Sequence, residues 1–79
     1  MIETLTYRDR IIELTVVGDT VNDELVLECW DLSPGAGLLF TLVVDHDLEV
    51  MLLRPTGQPV PLDLLERVAA IAGTELTAL

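Results

Sequence analysis

Apolar and polar residues alternate along the N-terminal two thirds of the chain, in short runs separated by turn-forming residues. A period of two is the pattern of a strand with one buried face. It predicts four strands, at residues 10–17, 24–32, 38–44 and 48–54. Residues 4–8 also alternate, and either extend the first strand or form a separate edge strand that folds back after them. The turn signal there is weak, so one long strand is predicted.

The breaks between these strands carry turn-forming residues. Gly, Asp and Asn punctuate residues 18–23, and Ser-Pro-Gly-Ala-Gly occupies residues 33–37. Pro34 cannot donate to a strand ladder, and the two glycines permit positive φ. The last two strands are joined by Asp-His-Asp at residues 45–47, and a Pro-rich loop follows at residues 55–59.

After residue 60 the period changes from two to three or four, which indicates an amphipathic helix. Its apolar stripe consists of Leu62, Leu65, Val68, Ala69 and Ala72, and is widened by Leu64 and Ile71. Pro61 suits the first helical position, Asp63 the positive end of the helix dipole, and Gly73 a C-terminal cap. The sequence therefore predicts a single α+β domain spanning residues 1–79. It is an antiparallel β-meander of three to four strands with one C-terminal helix packed on one face.

The final hairpin allows a prediction of register. A three-residue loop at residues 45–47 pairs Val44 with Leu48 and Leu42 with Val50, so that one face of the hairpin is apolar. A loop shorter by one residue would mix the faces, because a one-residue shift moves every side chain to the other side. The predicted inner face, which the helix covers, is Ile12, Leu14, Val16, Leu25, Leu27, Cys29, Leu38, Phe40, Leu42, Val44, Leu48, Val50 and Leu52.

The opposite face of the predicted sheet is more apolar than a solvated face should be, although it also carries Glu and Thr side chains. One helix cannot cover both faces of such a sheet. An exposed apolar patch is typical of an interaction surface, and Trp is enriched at binding hot spots. The predicted protein interface is Val26, Trp30, Leu39, Val43, Met51 and Leu53. Because two-fold self-association is the commonest way to cover such a surface, a homodimer is predicted.

The charge is strongly one-sided. Fourteen acidic residues face four arginines, with no lysine, giving a formal net charge of −10. Between Arg10 and Arg54 there are acids and no base, so most of these carboxylates lack an internal partner. Such a charge repels nucleic acid and anionic lipid, which excludes direct nucleic-acid binding. Two interpretations remain, an adaptation to solubility or habitat and a surface that meets a basic protein.

Two sequence features contain residue types that bind metals or act as nucleophiles, but neither predicts a functional site. The tripeptide Asp45-His46-Asp47 contains metal-binding residue types, but three successive ligands point in different directions and no second cluster completes a site. Cys29 would act as a nucleophile only beside a base in a positive environment. Its place in the strand pattern predicts a small buried hydrophobe instead, and no metal is expected.

Paired carboxylates and a glycine loop complete the candidate chemistry. Asp31 and Asp45 could meet at one end of the sheet, where two carboxylates can do acid–base work. No phosphate loop or electrophile accompanies them. Gly35 and Gly37 lie between antiparallel strands rather than before a helix, which predicts a hairpin loop and not a nucleotide site. The sequence therefore predicts neither an enzyme nor a cofactor.

The chain has one cysteine, no apolar run long enough to cross a membrane, and no signal-peptide pattern at its start, which predicts a cytoplasmic protein without membrane contact. The leading functional hypothesis is a small acidic, non-catalytic interaction module, homodimeric, that binds or regulates another protein. The alternative is an acidic inhibitor, an immunity-type protein or nucleic-acid mimic, of a basic nuclease or DNA-binding protein. A third hypothesis is a carrier or enzyme whose pocket forms only at a dimer interface.

Overall fold

The computed structural model describes residues 2–19, 21, 24–45 and 47–77. The elements in chain order are β1 (Ile2–Tyr7), β2 (Arg10–Asp19), β3 (Glu24–Asp31), β4 (Gly37–Asp45), β5 (Val50–Pro55) and α1 (Leu62–Thr77). The five strands form one antiparallel sheet in the order β1-β2-β3-β4-β5. This confirms the predicted α+β meander with one C-terminal helix, with one strand more than expected.

The additional strand is β1, and the prediction of one long N-terminal strand was wrong. The chain folds back after Tyr7, which pairs with Arg10. Arg8 adopts φ 57°, a left-handed conformation that residues other than glycine rarely take. Its guanidinium lies 5.4 Å from the centroid of the Tyr7 ring and forms an ion pair of 3.8 Å with Asp63. These contacts join the turn to the start of α1 and help to offset its backbone cost.

The core lies between the sheet and α1, which packs against β3 and β4. Its buried residues are Leu5, Ile12, Leu14, Leu27, Cys29, Leu39, Phe40, Leu42, Leu64, Val68, Ala72 and Leu76. Burying each large apolar side chain contributes about 1.5–3 kcal/mol, so this face dominates the stability of the fold. In the described part of the chain, no helix has the length and apolar content that crossing a lipid bilayer requires.

The helix continues past Gly73, so the predicted cap at this residue was wrong. Leu76, one turn further along, is buried in the core. The apolar stripe therefore extends beyond the glycine. Packing of the last turn against the sheet outweighs the roughly 1 kcal/mol that glycine costs within a helix.

The register of the β4–β5 hairpin also differs from the prediction. Val44 pairs with Met51 and Leu42 with Leu53. The predicted partner of Leu42 was Val50, so the true register differs by three residues. An odd difference exchanges the two faces of a strand. Met51 and Leu53 consequently lie on the helix side, and the alternate residues of β5 lie on the opposite side.

The cause of this difference is the turn that follows β4. The Asp45 carboxylate accepts hydrogen bonds from the backbone N–H groups of Asp47 at 3.0 Å and of Leu48 at 3.1 Å. Glu49 adopts φ 55°. Leu48 and Glu49 are therefore turn residues, and β5 begins at Val50 rather than at Leu48. The intervening His46 lies outside the described residues.

A β-bulge in β4 changes the placement of one predicted interface residue. Cys29 pairs with Phe40, whereas the next residue, Trp30, pairs with Leu38, so Leu39 is an extra residue in the ladder. Leu39 is buried in the core together with Phe40. Its predicted position on the uncovered face was therefore wrong, because the bulge turns its side chain towards the helix.

Side chains of the loop after β5 form hydrogen bonds with the backbone at and next to this bulge. The Thr56 hydroxyl donates to the backbone carbonyl of Leu38 at 3.2 Å and to that of Leu39 at 2.9 Å. The Gln58 side-chain amide donates to the carbonyls of Ala36 and Leu38 at 3.0 and 2.9 Å. Side chains thus satisfy carbonyl groups at an irregular point of the ladder, which holds the end of β5 against β4.

Candidate functional site

The outer face, meaning the side of the sheet that α1 does not cover, carries a continuous apolar row. The row consists of Val17 of β2, Val26 of β3, Val43 of β4 and Leu52 of β5, which are successive cross-strand partners. Directly opposed side chains on neighbouring strands contact one another, so the four residues form one strip across the sheet. Val43, at its centre, is 1% exposed. Val50 is also exposed on this face, beside Leu52.

An ion pair spans the apolar row. Arg54 Nη2 of β5 lies 3.3 Å from Glu24 Oε2 of β3, with β4 between the two strands. In the register, Arg54 and Glu24 stand on opposite sides of the row. The guanidinium is about half exposed. Because an exposed ion pair of this kind contributes only about 0–1 kcal/mol, a partner packing on the row could displace it at small cost.

Polar contacts organise the part of the outer face next to the row. The indole N–H of Trp30 donates to Glu28 Oε1 at 3.2 Å. The Thr15 hydroxyl donates to Glu13 Oε1 at 3.4 Å. Both pairs are two residues apart on one strand, the spacing that places side chains on the same face. The half-buried Trp30 is therefore held beside two carboxylates, of which Glu28 borders the apolar row and Glu13 lies one position further away.

The structure separates the six residues predicted to form the interface. Val26, Trp30 and Val43 lie on the outer face, as predicted. The other three, Leu39, Met51 and Leu53, lie on the helix side, which corrects their predicted placement. Leu39 and Met51 pack against the core, and Leu53 is exposed.

Besides Ile11 and Leu38, which lie on the outer face opposite Thr6 and Trp30, sequence reasoning missed three residues in or beside the apolar row. Val17 continues the alternation of β2 and stands opposite Val26, so the period of two contained the signal for it. Leu52 and Val50 were assigned to the inner face because the hairpin register was wrong. With these residues, β2, β3, β4 and β5 each carry apolar side chains on the outer face.

A cleft lies at the end of the sheet near the β1–β2 turn and the start of α1. Its volume is about 560 Å³, within the range of small-ligand sites. Ile12, Leu39 and Leu64 line its apolar floor, and Arg8 and Arg10 stand at its mouth. The cleft was not predicted, because it depends on how the segment before the helix crosses the sheet.

Several polar residues that line the cleft form contacts with one another or with neighbouring residues. Arg10 Nη1 lies 2.8 Å from Asp31 Oδ2, and the backbone N–H of Ser33 donates to Asp31 Oδ1 at 2.9 Å. The Ser33 hydrogen bond, followed by that of Arg10, lowers the pKa of Asp31. The Tyr7 hydroxyl donates to Asp63 Oδ1 at 2.6 Å, and this bond lowers the pKa of Asp63. Both carboxylates are therefore held ionised. Asp31 joins β3 to β2, and Asp63 joins α1 to β1.

Cys29 belongs to β3, and its side chain is buried in the core between the sheet and α1. This confirms the prediction of a small buried hydrophobe. Burial, and secondarily the charge of Asp31, raises the pKa of its thiol to about 12. A thiol that remains protonated at neutral pH is a poor nucleophile.

Asp31 and Asp45 do not meet, contrary to the suggestion that they could share one end of the sheet. Asp31 pairs with Gly37 at the start of β4, and Asp45 ends the same strand. Antiparallel pairing thus places the two carboxylates at opposite ends. Gly35, with φ 82°, lies in the loop between β3 and β4, as predicted, and Gly37, with φ 81°, is the first residue of β4. Among the described residues, no group of three acidic, His or Cys side chains could hold a metal ion.

No family model, curated protein or solved structure matches the chain.

Proposed function

We propose that the protein is a small acidic, non-catalytic interaction module that acts as a homodimer and binds another protein through its outer face. The observation that carries the proposal is the apolar row formed by Val17, Val26, Val43 and Leu52, which crosses four strands and which α1 leaves uncovered. The row is exposed at Val17 and Leu52, whereas Val43 between them is buried. Exposed apolar surface bordered by polar groups is typical of protein-binding sites.

The exposed part of this surface is large enough to contribute to binding. Val17, Leu52 and Val50 are between 38% and 43% exposed. Full burial of such a side chain stabilises by about 1.5–3 kcal/mol, so covering the exposed parts of the three contributes roughly 2–4 kcal/mol. Association itself costs several kcal/mol. The half-buried Trp30 beside the row is therefore needed as well, and large aromatic side chains are the usual source of the remainder.

The charges around the row indicate the chemistry of the partner. Glu28 borders it on one side, with Glu13 one position further away, and Glu24 lies on the other side. Arg54, on the same side as Glu28, is paired with Glu24. Charged groups at the rim of an interface select a partner with complementary potential. We therefore expect a partner whose contact surface is apolar at the centre and carries arginine or lysine at the rim.

The test compares one outer-face variant with a matched control. Val17→Glu adds a charge to the apolar row at an exposed position, and Leu62→Glu adds the same charge at an exposed leucine at the start of α1. Wild type and both variants are immobilised, and proteins retained from extracts of the source cells are quantified by mass spectrometry. Wild type and Leu62→Glu should retain the same protein, and Val17→Glu at least about tenfold less of it. Equal retention by all three would refute the proposal.

A second candidate is an acidic inhibitor of a basic nuclease or DNA-binding protein. Three carboxylates, those of Asp31, Asp63 and Glu24, form ion pairs with arginine in the described part of the chain. The net charge of −10 nevertheless remains, and this excess supports the candidate.

Salt dependence separates the two candidates. An electrostatic inhibitor should bind a cationic nuclease with an affinity that falls steeply between roughly 0.05 and 0.3 M salt, and should tolerate Val17→Glu. Binding through the apolar row should change little with salt and be lost in Val17→Glu. A partner bound in the first manner would favour the inhibitor over the interaction module.

A further inference from the structure

We propose that two copies of this chain pair through the free edge of β5, so that their sheets join into one continuous sheet. The inference rests on the homodimer of the proposed function and specifies where that dimer forms. It distinguishes the surface used for self-association, the edge of β5, from the outer face proposed to bind another protein.

The first supporting observation is that β5 is an edge strand with apolar side chains exposed on both faces. Val50 and Leu52 are exposed on the outer face, and Leu53 is exposed on the helix side. The helix packs mainly against β3 and β4, so β5 lies at the margin of the area that it covers. An apolar edge that presents unpaired backbone groups is a template for pairing with another strand.

The second observation is the contrast with β1, the other edge of the sheet. Glu3 of β1 pairs with the core residue Leu14, which places a carboxylate on the helix side of that strand. Thr4 and Thr6 are exposed on the other side. An inward-facing charge on an edge strand is a known device against edge-to-edge pairing. In β5 the one charged side chain is Arg54, next to the terminal proline and committed to Glu24.

The third observation, the distribution of charge, identifies the occupant as a second copy. The chain has no acidic residue from Val50 to Leu62, although 14 of its 79 residues are acidic. Two copies with a net charge of −10 each repel one another, and contact is least costly through a surface without carboxylates. A basic partner would favour the acidic surfaces instead, so the acid-free edge suits self-association.

Symmetry then restricts the geometry of the pair. Antiparallel pairing of β5 with its own copy places the two-fold axis perpendicular to the sheet, so each residue must oppose one of the same face. The axis therefore passes midway between one residue near the strand centre, which is Met51, Leu52 or Leu53, and the same residue of the second copy. Both outer faces lie on the same side of the joined sheet. The apolar row of one copy then continues towards that of the other, and the surface proposed to bind a partner is doubled.

Cysteine cross-linking tests this arrangement directly. The single-site variants are Met51→Cys, Leu52→Cys and Leu53→Cys, with Ile11→Cys of β2 as control. The control is closely matched, because Ile11 is 48% exposed and Leu53 is 46% exposed. The native Cys29 is buried and does not compete. Only one of the three cysteines can face its own copy across the two-fold axis. Under mild oxidation with diamide, that variant should yield at least about tenfold more disulfide-linked dimer than Ile11→Cys.

Sedimentation of a charge variant provides an independent measurement. Leu53→Glu should raise the dimer dissociation constant at least about tenfold, and Ile11→Glu should leave it unchanged. Far-UV circular dichroism verifies that both variants are folded. A wild-type dimer that Leu53→Glu does not weaken, and that Val17→Cys links instead, would overturn the pairing through β5 and leave the homodimer intact. A wild type that stays monomeric at every concentration would overturn both the pairing through β5 and the homodimer. Partner binding through the outer face is tested independently, by the retention experiment with Val17→Glu.

Discussion

Removing the guanidinium of Arg10 should destabilise the protein more than removing that of Arg54, although each forms one ion pair with a carboxylate. The two pairs differ in the burial of the acid. Arg10 Nη1 lies 2.8 Å from Asp31, whose side chain is 1% exposed, and Arg54 Nη2 lies 3.3 Å from Glu24, whose side chain is 25% exposed. Arg10→Ala therefore leaves a buried charge with fewer partners, and Arg54→Ala leaves one that water can reach.

The loss of unfolding free energy in each variant depends on the hydrogen bonds that the carboxylate keeps. After Arg10→Ala, Asp31 keeps the bond from the Ser33 backbone N–H at 2.9 Å. Losing a hydrogen bond to a charged group costs about 1.5–3 kcal/mol. Because Arg10 itself is more than half exposed, water replaces part of the interaction, and we expect about 1–2 kcal/mol. For Arg54→Ala we expect about 0–1 kcal/mol. In a domain of this size, 1 kcal/mol corresponds to about 4–8 °C in Tm.

Urea unfolding followed by far-UV circular dichroism measures the loss of unfolding free energy in each variant. The comparison requires that the dependence of this free energy on urea concentration be the same in all the proteins. Acidification adds a second criterion. The Ser33 N–H and then Arg10 lower the pKa of Asp31 in the folded protein. Its contribution to stability is therefore complete above the unfolded pKa of about 4 and is lost as the pH falls through the folded value. The difference between wild type and Arg10→Ala should shrink over that interval. Equal losses for the two variants, or a difference that persists in acid, would refute the role assigned to Asp31 burial.

Added salt should raise the melting temperature, because screening weakens repulsion among the carboxylates of a chain with a net charge of −10; a flat or falling curve would mean that most acids are locally paired. The thiol of Cys29, buried and with a pKa raised to about 12, should react with a disulfide reagent at neutral pH only when the protein unfolds. Rapid labelling of the folded protein, without acceleration in urea, would contradict its placement in the core.

The parts of the fold that could be predicted are those in which the alternation is unbroken. Residues 12–16 of β2 alternate without a break, and in β3 Glu28 separates Leu27 from Cys29. The predicted inner residues Leu14, Leu27 and Cys29 are buried. The change of period after residue 60 likewise identified α1, because a helical stripe and a strand pattern cannot be confused over that length.

The errors lie where apolar residues follow one another. Residues 50–53 are all apolar, so β5 has no alternation from which to assign its faces. Its register is determined instead by the Asp45 carboxylate, which binds two backbone N–H groups of the turn. The apolar run at residues 38–40 conceals the bulge at Leu39 in the same way. Because the apolar row of the outer face depends on register across four strands, half of the predicted interface was misplaced.

The meander order also bears on how the chain folds. Every strand pairs with its neighbour in sequence, so each ladder closes a short loop at a low cost in chain entropy. Topologies built from such local contacts form quickly. The helix is different, since it packs against β3 and β4 from the far end of the chain. Docking of α1 therefore carries the largest loop-closure cost, and we expect the sheet hairpins, with the outer face already in register, to form before the helix closes over the core.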